Sequence, residues 1–282
     1  MITCNLMGGL GNQIFQIFTT IAYGIKSRIQ FKFLNIETLG GGSTTIRHTF
    51  WNSFFSRLSP FLIENLPQPI HIIREKDFTF KELPIYEMIQ RDVMIFGYFQ
   101  SYKYFINEFP IICRIIDINS MKKKVIEKLN YTNDFLNNCI SMHFRIGDYK
   151  KIQDYHPIMK KEYYLKSLNL IQKVYPDINF NIMYFCEDID IEDVDIIIDF
   201  LKKNFPHYKF NRGEKNLEDW EQLLLMSCCH HNIIANSSFS WWGAFFNFNN
   251  DKIVCYPSTW FGPTAKHNTK DLCPEQWYKI LV

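Results

Sequence analysis

Charge of one sign is what this chain most plainly lacks: 31 Lys and Arg stand against 29 Asp and Glu, leaving a net charge of +2. So even a balance gives no electrostatic footprint for nucleic acid. Long apolar runs are missing too. The most apolar early segment, Ile14 to Ile25, is interrupted by Gln16, Thr19 and Thr20 and is too short to cross a bilayer. The opening MITCNL has neither the charged n-region nor the cleavage site of a signal peptide. The expectation is a soluble, cytoplasmic protein without a transmembrane anchor. None of the eight cysteines forms a C-x-x-C pair, and Cys139 and Cys186 sit inside apolar runs. Buried reduced thiols fit that pattern better than zinc or disulfides. Glycine and proline are too sparse for a disordered chain, and 282 residues that are 47% hydrophobic can bury one large core or two modest ones.

What is present is a set of polar clusters placed where apolar runs stop. Ile233-Ile234-Ala235 reads as a buried strand, Asn236-Ser237-Ser238-Phe239-Ser240 as a polar turn, and Trp241 to Phe246 as the start of a helix. Strand, polar turn and helix start make an anion site, because the first N–H groups of a helix have no intrahelical partner. A simple N-cap accounts for one of those serines. Trp241 and Trp242 divide into one ring facing a ligand and one in the core, although aromatics at helical spacing are commonly both core.

The first half opens with a strand over Ile2 to Leu6, a loop Met7-Gly8-Gly9-Leu10-Gly11-Asn12-Gln13, and a helix from Ile14. Glycines at such a turn let a phosphate or sugar approach the backbone, and Asn12 and Gln13 add side-chain amides. The G-x-G-x-x-G spacing of dinucleotide sites is absent. Gly40-Gly41-Gly42-Ser43 reads as a flexible turn, Val93 to Tyr98 as a strand, and Ser120 to Asn137 as a long helix whose Lys122-Lys123-Lys124 run is a solvated face. A domain boundary is expected where Asn becomes frequent, giving domains 1–134 and 135–282.

The second half alternates apolar runs (Cys139–Phe144, Phe180–Phe185, Tyr208–Phe210, Asn232–Ala235, Ile253–Tyr256) with helical stretches near 161–174, 192–204, 217–231 and 241–248. That alternation predicts an α/β fold with a doubly wound parallel sheet. The polar clusters fall after the strands: His143 to Tyr149, Glu187-Asp188, Arg212-Gly213-Glu214, Asn236 to Ser240, and Pro257 to Gly262. Ligands of open α/β sheets bind beyond the carboxyl ends of the strands. His143 and Arg145 suit a diphosphate, since Arg forks onto phosphate oxygens; the alternative is that Arg145 pairs with Asp148 and His143 is core. The acidic run Glu187 to Asp195 holds two D-x-D patterns that suit a divalent cation, or else it compensates the dipole of a helix whose far end carries Lys202-Lys203.

Taken together, GGLGNQIFQ (Gly8–Gln16), GYFQSYKYF (Gly97–Phe105), HFRIGDY (His143–Tyr149), LMSCCHHNIIANSSFSWWGA (Leu225–Ala244) and VCYPSTWF (Val254–Phe261) resemble the α-1,2-fucosyltransferases of glycosyltransferase family 11. The resemblance implies a GT-B-like architecture, with a smaller N-terminal α/β domain holding the acceptor and a Rossmann-like donor-binding domain. It implies inverting transfer of fucose from GDP-L-fucose to the 2-hydroxyl of a galactose-containing acceptor, with no metal and no cofactor. Donor contacts then fall to Gly8, Gly9, Gly11, Asn12, His143, Arg145, Asn236, Ser237, Ser238 and Phe239, with Asp219 or Glu221 for the guanine edge. Gln13, Tyr149 and Trp241 are the acceptor candidates. Arg145 stabilises the leaving diphosphate, and Asp148, with Asp154 and His156 behind it, is the candidate base. The family pattern H-x-R-R-G-D has Ile146 here in place of its second Arg, a position that strand alternation aims away from Arg145. Two other readings remain: a metal-dependent transferase built on Asp188 and Asp190, and a carbohydrate-binding protein without catalysis.

Overall fold

Along most of the second half of the chain a short apolar run is followed by an amphipathic stretch, and a helix crossover brings the next strand back parallel to the last. The computed structural model describes residues 1–40 and 46–282. Gly41, Gly42 and Ser43 of the expected turn lie outside the described residues. The chain divides into two compact units, Met1–Ser120 with His267–Pro274, and Met121–Lys266 with Glu275–Val282.

In the first unit, β1 (Ile2–Cys4), β2 (His71–Arg74) and β3 (Val93–Phe96) form a parallel sheet in the order β1-β3-β2. Helix α1 (Leu10–Ser27) follows β1 and starts four residues earlier than the sequence suggests, with Gly9 as its N-cap. Its apolar face, including Leu10, Ile14, Phe18 and Ile21, recurs every three to four residues and is wholly buried. Phe15 and Phe18 meet Phe105 at ring distances of 6.0 and 5.8 Å. Segment His267–Pro274 joins this unit through Asp271, which accepts from the Phe80 N–H (3.0 Å) and pairs with Lys103 (2.6 Å). Helix α2 (Phe109–Ile116) ends at Asp117, in the left-handed region, and α3 (Ile118–Leu129) follows.

The expected long helix to Asn137 is therefore broken. Asn130 adopts φ 55°, a conformation Asn tolerates at helix ends, and Thr132 restarts a short helical turn, Asn133–Asn137, by accepting from the Phe135 N–H. The Asn-rich stretch is thus a local interruption, and the change of unit comes earlier, at Ser120–Met121.

In the second unit six parallel strands, β4 (Cys139–His143), β5 (Asn181–Phe185), β6 (Lys209–Arg212), β7 (His231–Ile233), β8 (Val254–Pro257) and β9 (Tyr278–Ile280), lie in the order β6-β5-β4-β7-β8-β9. Counted from β4 this is 3-2-1-4-5-6, the order of a Rossmann sheet, and its direction reverses between β4 and β7. Helices α4 (Lys161–Val174), α5 (Ile191–Asn204), α6 (Asp219–Cys228) and α7 (Ser238–Phe245) make the first four crossovers, and the chain passes from β8 to β9 without a helix. Ile140, Met142 and Ile182 of the sheet share one core with Leu168 and Ile171 of α4 and Ile198 and Leu201 of α5. Each such burial contributes about 1.5–3 kcal/mol.

Helix α7 is anchored at its far end by two lysines. Lys122 donates to the carbonyls of Phe246 (2.9 Å) and Ser227 (3.2 Å), and Lys252 donates to that of Ala244 (3.0 Å). Lys122 therefore leaves the solvated face expected of its run and serves as a cation at a helix C-terminus. Among the described residues no helix is long and apolar enough to cross a membrane.

Candidate functional site

The switch point between β4 and β7 is the crevice where a sheet of this order takes its ligand, and the residues that follow those two strands meet there. His143 closes β4. Its ring lies 5.6 Å from that of Phe239, in the first turn of α7. The imidazole is 8% exposed and its Nδ1 has no hydrogen-bond partner. Burial, helped by the nearby Arg145 charge, pushes its pKa down to about 3, so the ring is neutral at pH 7.

Two residues on, Arg145 donates from Nη1 to Glu187 and from Nη2 to Asp148 (2.7 Å). Its guanidinium lies over the Tyr149 ring, 5.2 Å from the centroid. Burial works against the charge here, but the two carboxylates outweigh it and hold the guanidinium pKa above its ordinary value. The pairing with Asp148 that the sequence left as an alternative is thus present, and Glu187 adds a partner that sequence reasoning missed. Its signal was position: Glu187 follows β5, the strand hydrogen-bonded beside β4.

The turn between the strand and Asp148 is fixed from the acidic run. Gly147 adopts φ 26° and its N–H donates to Asp190 Oδ2 at 2.7 Å. Asp190 is 2% exposed. Asp188 accepts from Arg212 Nη2 at 2.6 Å. The D-x-D carboxylates therefore serve the loops after β4 and β6, and among the described residues no three His, Cys, Asp or Glu side chains group as metal ligands. Ile146 is buried in the sheet core with Met159 and Tyr163, facing away from Arg145.

Tyr149 ties the two sides of the crevice together. Its hydroxyl donates to the Asn236 carbonyl (3.2 Å), and His156 stacks on its ring at 4.7 Å. Asn236 donates to the carbonyls of Pro157 and Trp260, each at 3.0 Å, which fixes the chain entering α7. Ser237 is the N-cap, its hydroxyl accepting from the Phe239 N–H. Ser238 and Phe239 are half-exposed, whereas Ser240 turns inward toward the carbonyls of Ala235 and Ser237.

Several expected site residues stand elsewhere. Trp241 is fully buried, stacked on Phe245 at 4.5 Å and packed on Trp242 and Trp277, so neither tryptophan offers a ring to an acceptor. Gln13 is also fully buried, because α1 begins before it; its amide nitrogen donates to the Gly8 (3.0 Å) and His48 (2.8 Å) carbonyls. The same early helix start makes Gly11 a buried helical residue, not a loop residue. Gly8 does turn the chain, at φ 76°, and a Cβ there would meet the Asn12 amide at 2.4 Å. Asn12 in turn accepts from Gln100 Nε2 (2.8 Å). Gly9 faces open space. Asp219 stands exposed at the start of α6, and Glu221 is committed to the capping box with Glu218 and to Lys128 (2.6 Å). Asp154 is exposed, with its carbonyl held by the Thr264 N–H (3.1 Å).

Known proteins match this arrangement. An Alpha-1,2-colitosyltransferase of Escherichia coli is 26% identical over 99% of both chains, and the O-antigen biosynthesis glycosyltransferase WbnK of Escherichia coli is 25% identical over 99% of this chain and all of its own. A solved mutant of Arabidopsis thaliana FUT1 in complex with GDP gives a TM-score of 0.50 at 8% identity, covering 97% of this chain and 74% of that one. Such low identity speaks for the fold alone, which is GT-B-like and α/β. The model of Glycosyl transferase family 11 matches residues 44–280, which include the Arg145 crevice and the whole of the six-stranded sheet. With most of its length and its switch-point residues inside that match, the chain is a glycosyltransferase that belongs to glycosyl transferase family 11.

Proposed function

We propose that this enzyme transfers L-fucose from GDP-L-fucose to the 2-hydroxyl of a galactose-containing acceptor, with inversion and without a metal. The observation that carries the reading is the charged corner at the switch point, where Arg145 and the neutral His143 stand beside the Ser237-capped start of α7. A nucleotide diphosphate there gains a guanidinium and the outward N–H groups of a helix. Preorganised donors of this kind stabilise the charge that builds on the leaving GDP.

In the transfer, the acceptor oxygen bonds to the anomeric carbon as the bond from that carbon to the diphosphate oxygen breaks. The acceptor proton passes to a carboxylate and GDP departs with the electron pair. Asp148 is held by Arg145, and Asp154 extends into solvent from a backbone pinned at Thr264 and Gly262. These two are the base candidates, and among the described residues Asp154 has no ion pair to break. Tyr149, against Arg145 in the same crevice, borders the acceptor.

A second donor has one specific observation behind it. The relative named an Alpha-1,2-colitosyltransferase matches end to end, so GDP-colitose belongs beside GDP-L-fucose in the test. The purified enzyme is incubated with a galactoside and, in separate runs, GDP-L-fucose, GDP-colitose, GDP-mannose and UDP-galactose, with and without EDTA. The expected product, identified by NMR, is an α-1,2-linked fucoside formed at the same rate in EDTA. Turnover with UDP-galactose alone, or activity that vanishes in EDTA and returns with Mn²⁺, overturns the reading.

A further inference from the structure

Arg145 is an unusual receptor for a polyanion, because Asp148 and Glu187 already surround it and together outnumber its charge. Bare pyrophosphate would meet a corner with one negative charge in excess. A nucleoside diphosphate presents something different: beside its α-phosphate lies a ribose with two vicinal hydroxyl donors. A cation and a carboxylate in direct contact match those two groups in that order.

Glu187 is placed for the second of them. It stands just past β5, the second strand of the 3-2-1-4-5-6 order, and in sheets of this kind a carboxylate at that strand end takes a ribose hydroxyl beside the phosphate site. The neighbouring acids are committed elsewhere, Asp188 to Arg212 (2.6 Å) and Asp190 to the Gly147 N–H (2.7 Å). Glu187 gives one oxygen to Arg145 and its side chain is 54% exposed, so the carboxylate keeps acceptor capacity beyond that contact. Glu187 Oε2 lies beside Gly147, where a Cβ would stand 3.3 Å from it, so the glycine leaves room at that oxygen.

We propose that Glu187 accepts the ribose hydroxyls of the donor nucleotide, so that Arg145 and Glu187 as a pair read the junction between phosphate and ribose. The assignment rests on the nucleotide reading of the Arg145 corner. It also gives the ion pair a purpose beyond holding Arg145 still: the guanidinium orients the carboxylate, and the carboxylate orients the sugar.

Calorimetric titration with GDP, 2′,3′-dideoxy-GDP and IDP tests it on the wild-type enzyme and on the Glu187→Ala, Glu187→Gln and Arg145→Ala variants. The wild type should prefer GDP to the dideoxy compound by on the order of 10- to 100-fold, as hydrogen bonds to a charged acceptor do. In Glu187→Ala that preference should shrink to within about twofold, whatever happens to absolute affinity. Arg145→Ala should weaken both ligands and reduce the preference only in part, because Glu187 stays but loses the guanidinium that orients it. If wild type ignores the ribose hydroxyls, or if Glu187→Ala keeps the preference, Glu187 only holds Arg145 and the assignment is wrong. If the variant loses discrimination between GDP and IDP instead, the carboxylate reads the guanine edge and the assignment is equally wrong. GDP that fails to bind wild type at all removes the nucleotide reading itself, whereas Arg145-dependent GDP binding with an unchanged ribose preference removes only the role of Glu187.

Discussion

After β1 the chain turns through Gly8 and Gly9 into α1; after β7 it turns through Asn236 and Ser237 into α7. Both corners join a buried parallel strand to a buried helix through small or amide-bearing residues. In the first, the amides are spent on the corner itself. Gln13 holds the Gly8 and His48 carbonyls, Gln16 accepts from the Met7 N–H (2.9 Å), and Asn12 accepts from Gln100. In the second, the turn sits beside a guanidinium, two carboxylates and a neutral imidazole. A buried polar atom without a partner does not tell the corners apart, since Gln13 Oε1 and Asn236 Oδ1 are both in that state. Charge does. A diphosphate needs a fixed cation, and from Met7 to Gln16 the first corner contains no charged residue. On the proposed function, the comparison sets a corner whose amides hold the turn itself against a corner whose fixed charge takes the donor.

The largest effect should come from removing that cation. Arg145→Ala is expected to lower kcat/KM on the order of 10³-fold, about 4 kcal/mol of transition-state stabilisation. Its fold should persist, because Asp148 and Glu187 are each about half exposed and water can take over their solvation. Near-normal turnover by a well-folded variant would erase the distinction between the corners. Gln13→Ala probes the other side. Loss of its fully buried amide removes the hydrogen bonds to the Gly8 and His48 carbonyls, which should cost about 1–3 kcal/mol of stability, read as a lower denaturation midpoint. Turnover per folded molecule should stay within about threefold of wild type. A loss of kcat/KM comparable to that of Arg145→Ala, at unchanged stability, would make the first corner a binding corner as well.

How much of this was legible in the sequence depends on how far apart the interacting residues are. Five of the six strands of the second unit were visible as apolar runs, and the polar clusters at their carboxyl ends followed from the alternation alone, because both are local signals; β9, three residues with Tyr278 and Lys279 exposed, carried no such run. The burial of Trp241 and Trp242 obeys a local rule as well, that aromatics at helical spacing are core, and expecting one ring at a ligand ran against it. The start of α1 was misplaced because Gly9 and Gly11 weaken helix propensity, and burial of Leu10 against the sheet overrides them. Glu187 is 42 residues from Arg145, and Asp271 is 168 from Lys103. Contacts over such spans are set by strand order, which the sequence announces only once the topology is known. Hence the partner of Arg145, and the membership of His267–Pro274 in the first unit, came from the fold.

The smallest effect concerns the link between Arg145 and the turn that caps α7. Tyr149 lies under Arg145 with its ring and reaches the Asn236 carbonyl with its hydroxyl, so it couples the cation to the turn that caps α7. Tyr149→Phe removes the hydrogen bond and leaves the ring. At 3.2 Å, with a carbonyl as acceptor, that bond contributes about 1 kcal/mol, so kcat/KM should fall roughly fivefold. Tyr149→Leu also removes the surface on which the guanidinium rests, adding about 0.5–1 kcal/mol. The order of the two variants is the informative result. If Phe and Leu are equally impaired, the hydroxyl alone matters and the turn, not the arginine, is what Tyr149 positions. If Phe is fully active and Leu is not, the hydrogen bond to Asn236 is incidental and the coupling runs through the ring to Arg145.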